Sequence, residues 1–142
     1  MKISSKARYA VSATAELAER FGEFVSVGEL SERRQIPRTF LEQLLLQLKN
    51  AGVTISRRGP DGGYALAASP DRIRLADVYT AVEGPVSLRR NSGSVASDDR
   101  VWGGLENAVL DYLNAVTLED LVNADSPEVS GTSVEHPYTF SI

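Results

Sequence analysis

The sequence has no cysteine and a single histidine, and those two absences remove most common reaction chemistries. Without cysteine there is no disulfide, no thiolate nucleophile and no soft ligand set for zinc or an iron–sulfur cluster. The one histidine, His136, stands in a polar stretch late in the chain, so neither a Ser/His/Asp triad nor a histidine metal site is expected. No run approaches the roughly 18 consecutive apolar residues of a membrane span. The opening "MKISSKARYA" lacks the apolar segment of a secretory signal. These absences predict a soluble, cytoplasmic protein that is not an enzyme, carries no metal or other cofactor and does not enter a membrane.

What is present is unevenly spread. The 142 residues have a net charge of −4 and fit one compact domain, or one domain with a long helical extension. Residues 1 to 74 hold 12 Lys/Arg against 8 Asp/Glu, a balance of +4, and residues 75 to 142 hold 3 against 11, a balance of −8. Binding of a polyanion depends on a local basic face and not on the total charge, so the first half is where one would be held.

Along that half, "SSKARYAVSATAELAERFGE" places Ala10, Ala13, Thr14, Leu17 and Phe21 at helical spacing, closed by Gly22. Ser26 stands three residues before Glu29, the capping-box spacing, and predicts a short helix from about 27 to 34. After the connector "QI", Pro37 is expected in the first turn of a third helix, where its missing amide hydrogen costs nothing. That helix puts Leu41, Leu44, Leu45 and Leu48 on one stripe, with Arg38, Thr39, Glu42, Gln43 and Lys49 facing away, and stops at Gly52. Two short helices joined tightly, the second with polar groups at its outward N-terminal end, form a helix-turn-helix pattern.

The stretch "ISRRGPDGGYALA", residues 55 to 67, follows at once. A phosphate-binding loop would need its glycines to open a helix with Lys-Ser or Lys-Thr, whereas here they lead into the strand-like "YALA". The alternation of "VTIS" and "YALA" predicts a hairpin of half-buried strands with "GPDGG" at its reversal. A helix-turn-helix with a hairpin directly after it is a winged helix. The fold expected is thus mainly α with a small β-hairpin, a winged helix-turn-helix domain plus a long C-terminal dimerisation helix.

In the second half, "SPDRIRLADVYTAVEGP" reads as a turn, an extended piece through Ile73 and a helix from about Leu75 to Val82. Residues 91 to 99, "NSGSVASDD", have the composition of a mobile loop. Beyond them Trp102, Leu105, Val109, Tyr112, Leu113 and Val116 mark an amphipathic helix about 28 Å long if it spans 98 to 116. Thr117 is positioned to cap a last short helix, "LEDLV". The expected organisation is a DNA-binding domain over 1–84, a linker and loop over 85–100, a dimerisation helix and short helix over 101–122, and a tail over 123–142.

Each functional reading has a plainer one beside it. The polar face of the third helix is either a solvated surface or a set of groups for the major groove, with Thr39 for a phosphate or base edge, Glu42 for cytosine N4 and Gln43 for adenine. Phe40 is expected half buried, with a ring edge that reaches a thymine methyl. Arg57 and Arg58 either decorate an ordinary turn or enter the minor groove, Arg58 being the stronger candidate. The Trp102 to Val116 stripe is either core or a face for a second copy, the symmetry that paired half-sites need. The alternative from another class is a winged-helix interaction module that binds a partner enzyme and not DNA.

With these residues placed, the chain resembles the Rrf2 family of winged-helix transcriptional regulators over nearly its whole length. The resemblance is carried by "MKISSKARYA", "FLEQLLLQLKNAG", "RRGPDGGYALA", "DVYTAVEGP" and "TLEDL" in the same order. It implies a homodimer on a pseudo-palindromic double-stranded DNA operator, with Arg38, Thr39, Phe40, Glu42 and Gln43 at the major groove and Arg57, Arg58, Gly59 and Pro60 at the wing contact. Many relatives hold an iron–sulfur cluster through three cysteines before the long helix. Here that region has Ser92, Ser94 and Ser97, and a serine hydroxyl is a poor ligand for iron, so no cluster is expected. The resemblance to cluster-free members implies repression of sulfur and cysteine metabolism genes and a partner enzyme, an O-acetylserine thiol-lyase. Two departures from the family pattern, Pro37 where relatives often have a capping serine and the outward Leu46, bear on which sequence is read.

Overall fold

Six α-helices and one two-stranded antiparallel sheet make up the described part of the computed structural model, which covers residues 2–88 and 96–123, without the side chains of residues 96 and 97. Helix α1 (Ser5–Glu19) begins where the Ser4 hydroxyl accepts from the Ala7 N–H at 3.1 Å, satisfying one of the free amides of a helix start. The same hydroxyl donates to the Glu83 carboxylate. The α1 stripe Ala10, Ala13, Thr14 and Leu17 is buried as its spacing predicts, but Phe21 lies past the helix end and is 51% exposed.

Helix α2 (Val27–Arg34) occupies the predicted span, and Ser26 caps it by accepting from the Glu29 N–H at 3.2 Å. The Glu29 carboxylate does not close the capping box. It takes Arg20 at 2.7 Å and so ties the end of α1 to the start of α2. That hydrogen bond, more than any other contact, raises the Arg20 guanidinium above its ordinary pKa.

The turn into α3 (Arg38–Asn50) is built by Gln35, a non-glycine residue at φ 53°, and by Ser31 and Ile36, which bond reciprocally: Ile36 N–H to Ser31 O at 3.1 Å and Ser31 Oγ to Ile36 O at 2.6 Å. Pro37 is the cap residue before α3 and not its first helical position. Its carbonyl accepts the Leu41 N–H at 2.9 Å, the first bond of the helix. Leu41, Leu44, Leu45 and Leu48 are all buried and form the centre of the core with Leu17, Val25, Leu30 and Val78. Gly52, at φ +82°, ends the helix in the left-handed turn expected of it.

The hairpin is one residue out of the predicted frame. Strands β1 (Thr54–Arg57) and β2 (Gly63–Leu66) pair from Thr54↔Leu66 to Arg57↔Gly63, so Arg57 is strand and not turn. The simple alternation also fails: Thr54 is buried against Leu45 O while Ile55 is exposed, because β1 starts directly on the back of α3. The expected turn is a 3₁₀ turn (Pro70–Arg72), and the extended piece that follows it runs through Ile73, at φ −106° and ψ 120°, to Arg74.

Helix α4 (Leu75–Glu83) packs on α1, and α5 (Ala96–Ala115) starts earlier than expected, so residues 96–99 of the supposed loop are helical. Residues 91–95 of that loop and the tail from 124 lie outside the described residues. Thr117 caps α6 (Leu118–Val122), accepting from the Asp120 N–H at 3.2 Å, while Asp120 accepts the Thr117 N–H at 2.9 Å. The segment before α6 is stitched to the one before α4: Leu75 N–H bonds Val116 O at 2.8 Å, and Leu118 N–H bonds Ile73 O at 2.9 Å. Among the described residues no helix is long and apolar enough to cross a membrane.

Candidate nucleic-acid interface

The N-terminal turns of α3 present Arg38, Thr39, Glu42 and Gln43 to solvent, directly opposite the buried leucine stripe. Burial of that stripe fixes the rotation of the helix, so the outward set cannot turn inward without exposing four leucines. Arg38 and Glu42 form an i,i+4 ion pair at 3.6 Å between exposed groups, worth about 0.3–0.5 kcal/mol and easily exchanged for another partner. Leu46 continues the outward side one turn beyond Gln43 and is 51% exposed.

Phe40 differs from its neighbours. It is half buried and meets Tyr9 of α1 edge to face, with ring centroids 5.6 Å apart and an interplanar angle of 78°. This aromatic pair anchors α3 to α1. Beneath the helix pair, Glu16 is 3% exposed and lies 2.9 Å from the Nε atoms of both Arg33 and Arg34. Its carboxylate is thereby compensated by two cations of α2, and the angle between α1 and α2 is set by charge as well as by packing.

The wing is held from two sides. Val25 and Tyr64 exchange both backbone bonds at 2.9 Å, which adds a single residue to the edge of β2. Gly63, at φ +142°, makes that approach possible: a Cβ there would lie 2.1 Å from Val25 O. Gly62 is equally constrained, since its Cβ would lie 2.2 Å from Arg57 O. The glycine pair therefore serves close backbone packing at the base of the wing as well as reversal at its tip. At the tip, Gly62 N–H bonds Gly59 O at 2.9 Å, and Arg58, Gly59 and Pro60 are exposed. Arg57 is engaged within the chain: its guanidinium carbon sits 4.2 Å from the Phe24 ring centroid and Nη2 donates to Asp61 O at 2.8 Å. Among the described residues Arg58 and Lys49 make no ion pair.

A sequence model of the family described as "Rrf2: Iron-dependent Transcriptional regulator" matches residues 3–124. The chain belongs to the Rrf2 family. Among curated relatives of this Rrf2 protein, the transcriptional regulator CymR of Bacillus subtilis is 36% identical over 125 residues, 87% of this chain and 91% of that one. IscR of Cereibacter sphaeroides is 38% identical over 135 residues, covering 86% and 87%. Among solved structures, CymR (YrzC), titled the global cysteine regulator of B. subtilis, superposes with a TM-score of 0.79 at 34% identity, covering 86% of this chain and 96% of that one. T. potens IscR gives 0.75 at 32% identity, covering 86% of each. The protein is accordingly a DNA-binding transcriptional regulator with a winged-helix fold, related to regulators and not to enzymes.

The iron named in the family description has no thiolate available to it in this sequence. Cysteine is absent from the whole sequence, and among the described residues no group of three or more His, Cys, Asp or Glu is arranged to hold a metal ion. Ser92 and Ser94 lie outside the described residues, as does the side chain of Ser97.

The stripe expected to form one dimer face is divided by the fold. Val101, Trp102, Leu105 and Tyr112 are exposed along α5, with Trp102 at 48%, whereas Val109 and Leu113 are half buried. Leu113 turns into a groove of about 550 Å³ shared with Ile3, Val11, Tyr79 and Leu121. Val116 does not belong to an intermolecular face: it follows the end of α5, is fully buried, and its backbone is bonded to Leu75. Sequence reasoning passed over Phe24 and Val25, whose partners lie on a hairpin far along the chain, where no local periodicity could signal them.

Proposed function

We propose that this Rrf2 protein acts as a homodimeric repressor on a pseudo-palindromic operator, with the first turns of α3 in the major groove and the tip of the wing in the adjacent minor groove. The observation that carries this reading is the solvent-facing set Arg38, Thr39, Glu42 and Gln43 on a helix whose opposite side is locked into the core. Arg58, with Gly59 and Pro60, supplies the second contact from an exposed hairpin tip. Two such units must be held at a separation of one DNA turn, and the exposed Val101, Trp102, Leu105 and Tyr112 of α5 offer a face that a symmetric partner would cover.

The regulated genes are proposed to be those of sulfur and cysteine metabolism, by analogy with the relative titled a global cysteine regulator, and an O-acetylserine thiol-lyase is the partner enzyme proposed with them. The protein works without an iron–sulfur cluster, since it has no thiolate to hold one.

Selection from a random duplex library, followed by titration of the enriched duplex over a range of salt, tests this reading. The affinity should fall steeply, with a log–log slope of about −0.9 for each phosphate neutralised. Failure to enrich any sequence, together with a flat salt dependence, would exclude operator binding and leave a winged-helix module that binds a protein.

A further inference from the structure

We propose that Arg57 is a positioning residue of the wing, acting through Arg58, and that it does so by clamping the hairpin tip onto Phe24. Three observations converge on it. The Arg57 guanidinium carbon lies 4.2 Å from the Phe24 ring centroid, a stacking distance for a cation on an aromatic face. Its Nη2 donates to Asp61 O at 2.8 Å, across the turn from its own strand. And the backbone next to Phe24 is already joined to the other strand, because Val25 exchanges both bonds with Tyr64.

The segment Phe24–Val25 thus grips both strands, β2 through the backbone and β1 through an arginine. What projects beyond the grip is the five-residue tip from Arg58 to Gly62, closed by the Gly62 to Gly59 bond. A two-stranded hairpin standing alone is at best marginally stable in water. Without the clamp the tip would sample many orientations, and the cost of ordering it would fall on each binding event. With one face on a ring and one donor on a carbonyl, Arg57 is committed within the chain, whereas Arg58 beside it has no ion pair among the described residues. Two adjacent arginines that look equivalent in sequence therefore have separate tasks.

This inference rests on the operator-binding reading, and its test is made on a duplex that the unaltered full-length protein has enriched, so that failure of enrichment counts against that reading alone. On this duplex Arg57→Ala should weaken binding about five- to fiftyfold, the combined worth of a cation–aromatic contact and a hydrogen bond. The salt slope should stay unchanged, while Arg58→Ala should lower it by about 0.9. In the Arg58→Ala background, adding Arg57→Ala should cost clearly less than it does alone, about threefold at most, because only the Gly59 and Pro60 part of the tip contact remains to be positioned.

Phe24→Leu provides an independent arm, since it removes the ring and leaves the Arg57 charge in place. A clamp predicts that Phe24→Leu weakens binding by the ring's share of the Arg57→Ala loss, about two- to fivefold, and that Phe24→Tyr, which keeps the ring, binds as the unaltered protein does. If Arg57→Ala lowers the salt slope by one phosphate, if its loss multiplies with that of Arg58→Ala, or if Phe24→Leu binds normally, Arg57 is a direct phosphate contact and the proposal is overturned.

Discussion

Val25 and Tyr64 are joined by two backbone hydrogen bonds of 2.9 Å, so that the loop before α2 becomes a one-residue third strand of the wing. This pairing sets the hairpin's position relative to the helix-turn-helix unit, and it tolerates no side chain at residue 63. Gly63→Ala should destabilise the protein by about 3 kcal/mol, because a Cβ at 2.1 Å from Val25 O forces the two backbones apart. Gly59→Ala, at φ +105° with open space around it, should cost only about 1–2 kcal/mol. Thermal unfolding of the two variants side by side checks the difference, and equal losses would mean that the pairing contributes little.

The buried Glu16 gives a second prediction. Glu16→Gln keeps the shape but removes the charge that Arg33 and Arg34 share, and should lower stability by about 1–3 kcal/mol. The value should fall toward the lower end, since the Arg33 and Arg34 side chains are 56% and 25% exposed and can turn to water. A shift in the urea midpoint at constant m-value would report it.

On α3 the two faces should separate stability from recognition. Leu45→Ala, at a fully buried position, should cost about 2–5 kcal/mol of folding stability. Gln43→Ala, at an exposed one, should change stability by less than about 0.5 kcal/mol. On the enriched duplex it should lose about 1–3 kcal/mol of discrimination at a single base pair. Uniform weakening across all sequences would assign Gln43 to a phosphate.

For the association face, the double variant Trp102→Glu, Leu105→Glu should raise the dimer dissociation constant at least about thirtyfold, since both residues would sit in the centre of a symmetric contact. Helix content should be retained, because both side chains are already exposed within one chain. Sedimentation equilibrium reads the association, and a variant that associates as the original does would place the interface elsewhere.

Protein purified without oxygen should contain no stoichiometric iron and show no charge-transfer absorption, as expected of a family member with no cysteine. An iron–sulfur chromophore at one per chain would overturn the cluster-free assignment.

Local chemistry was legible in the sequence. The caps at Ser26 and Thr117, the leucine stripe of α3, the left-handed stop at Gly52 and the lack of any thiolate each follow from residues within a few positions of one another, and each can be read without a fold. Tertiary structure alone decided the pairings across distance. Arg57 finds Phe24, Glu16 finds two arginines of another helix, Gly63 yields to Val25, and Val116 is drawn into the core by Leu75. In each case the energy comes from a contact that forms only after the chain has closed a long loop, so no periodicity or spacing within the sequence could encode it. That is why two neighbouring arginines, alike on paper, differ in the folded molecule.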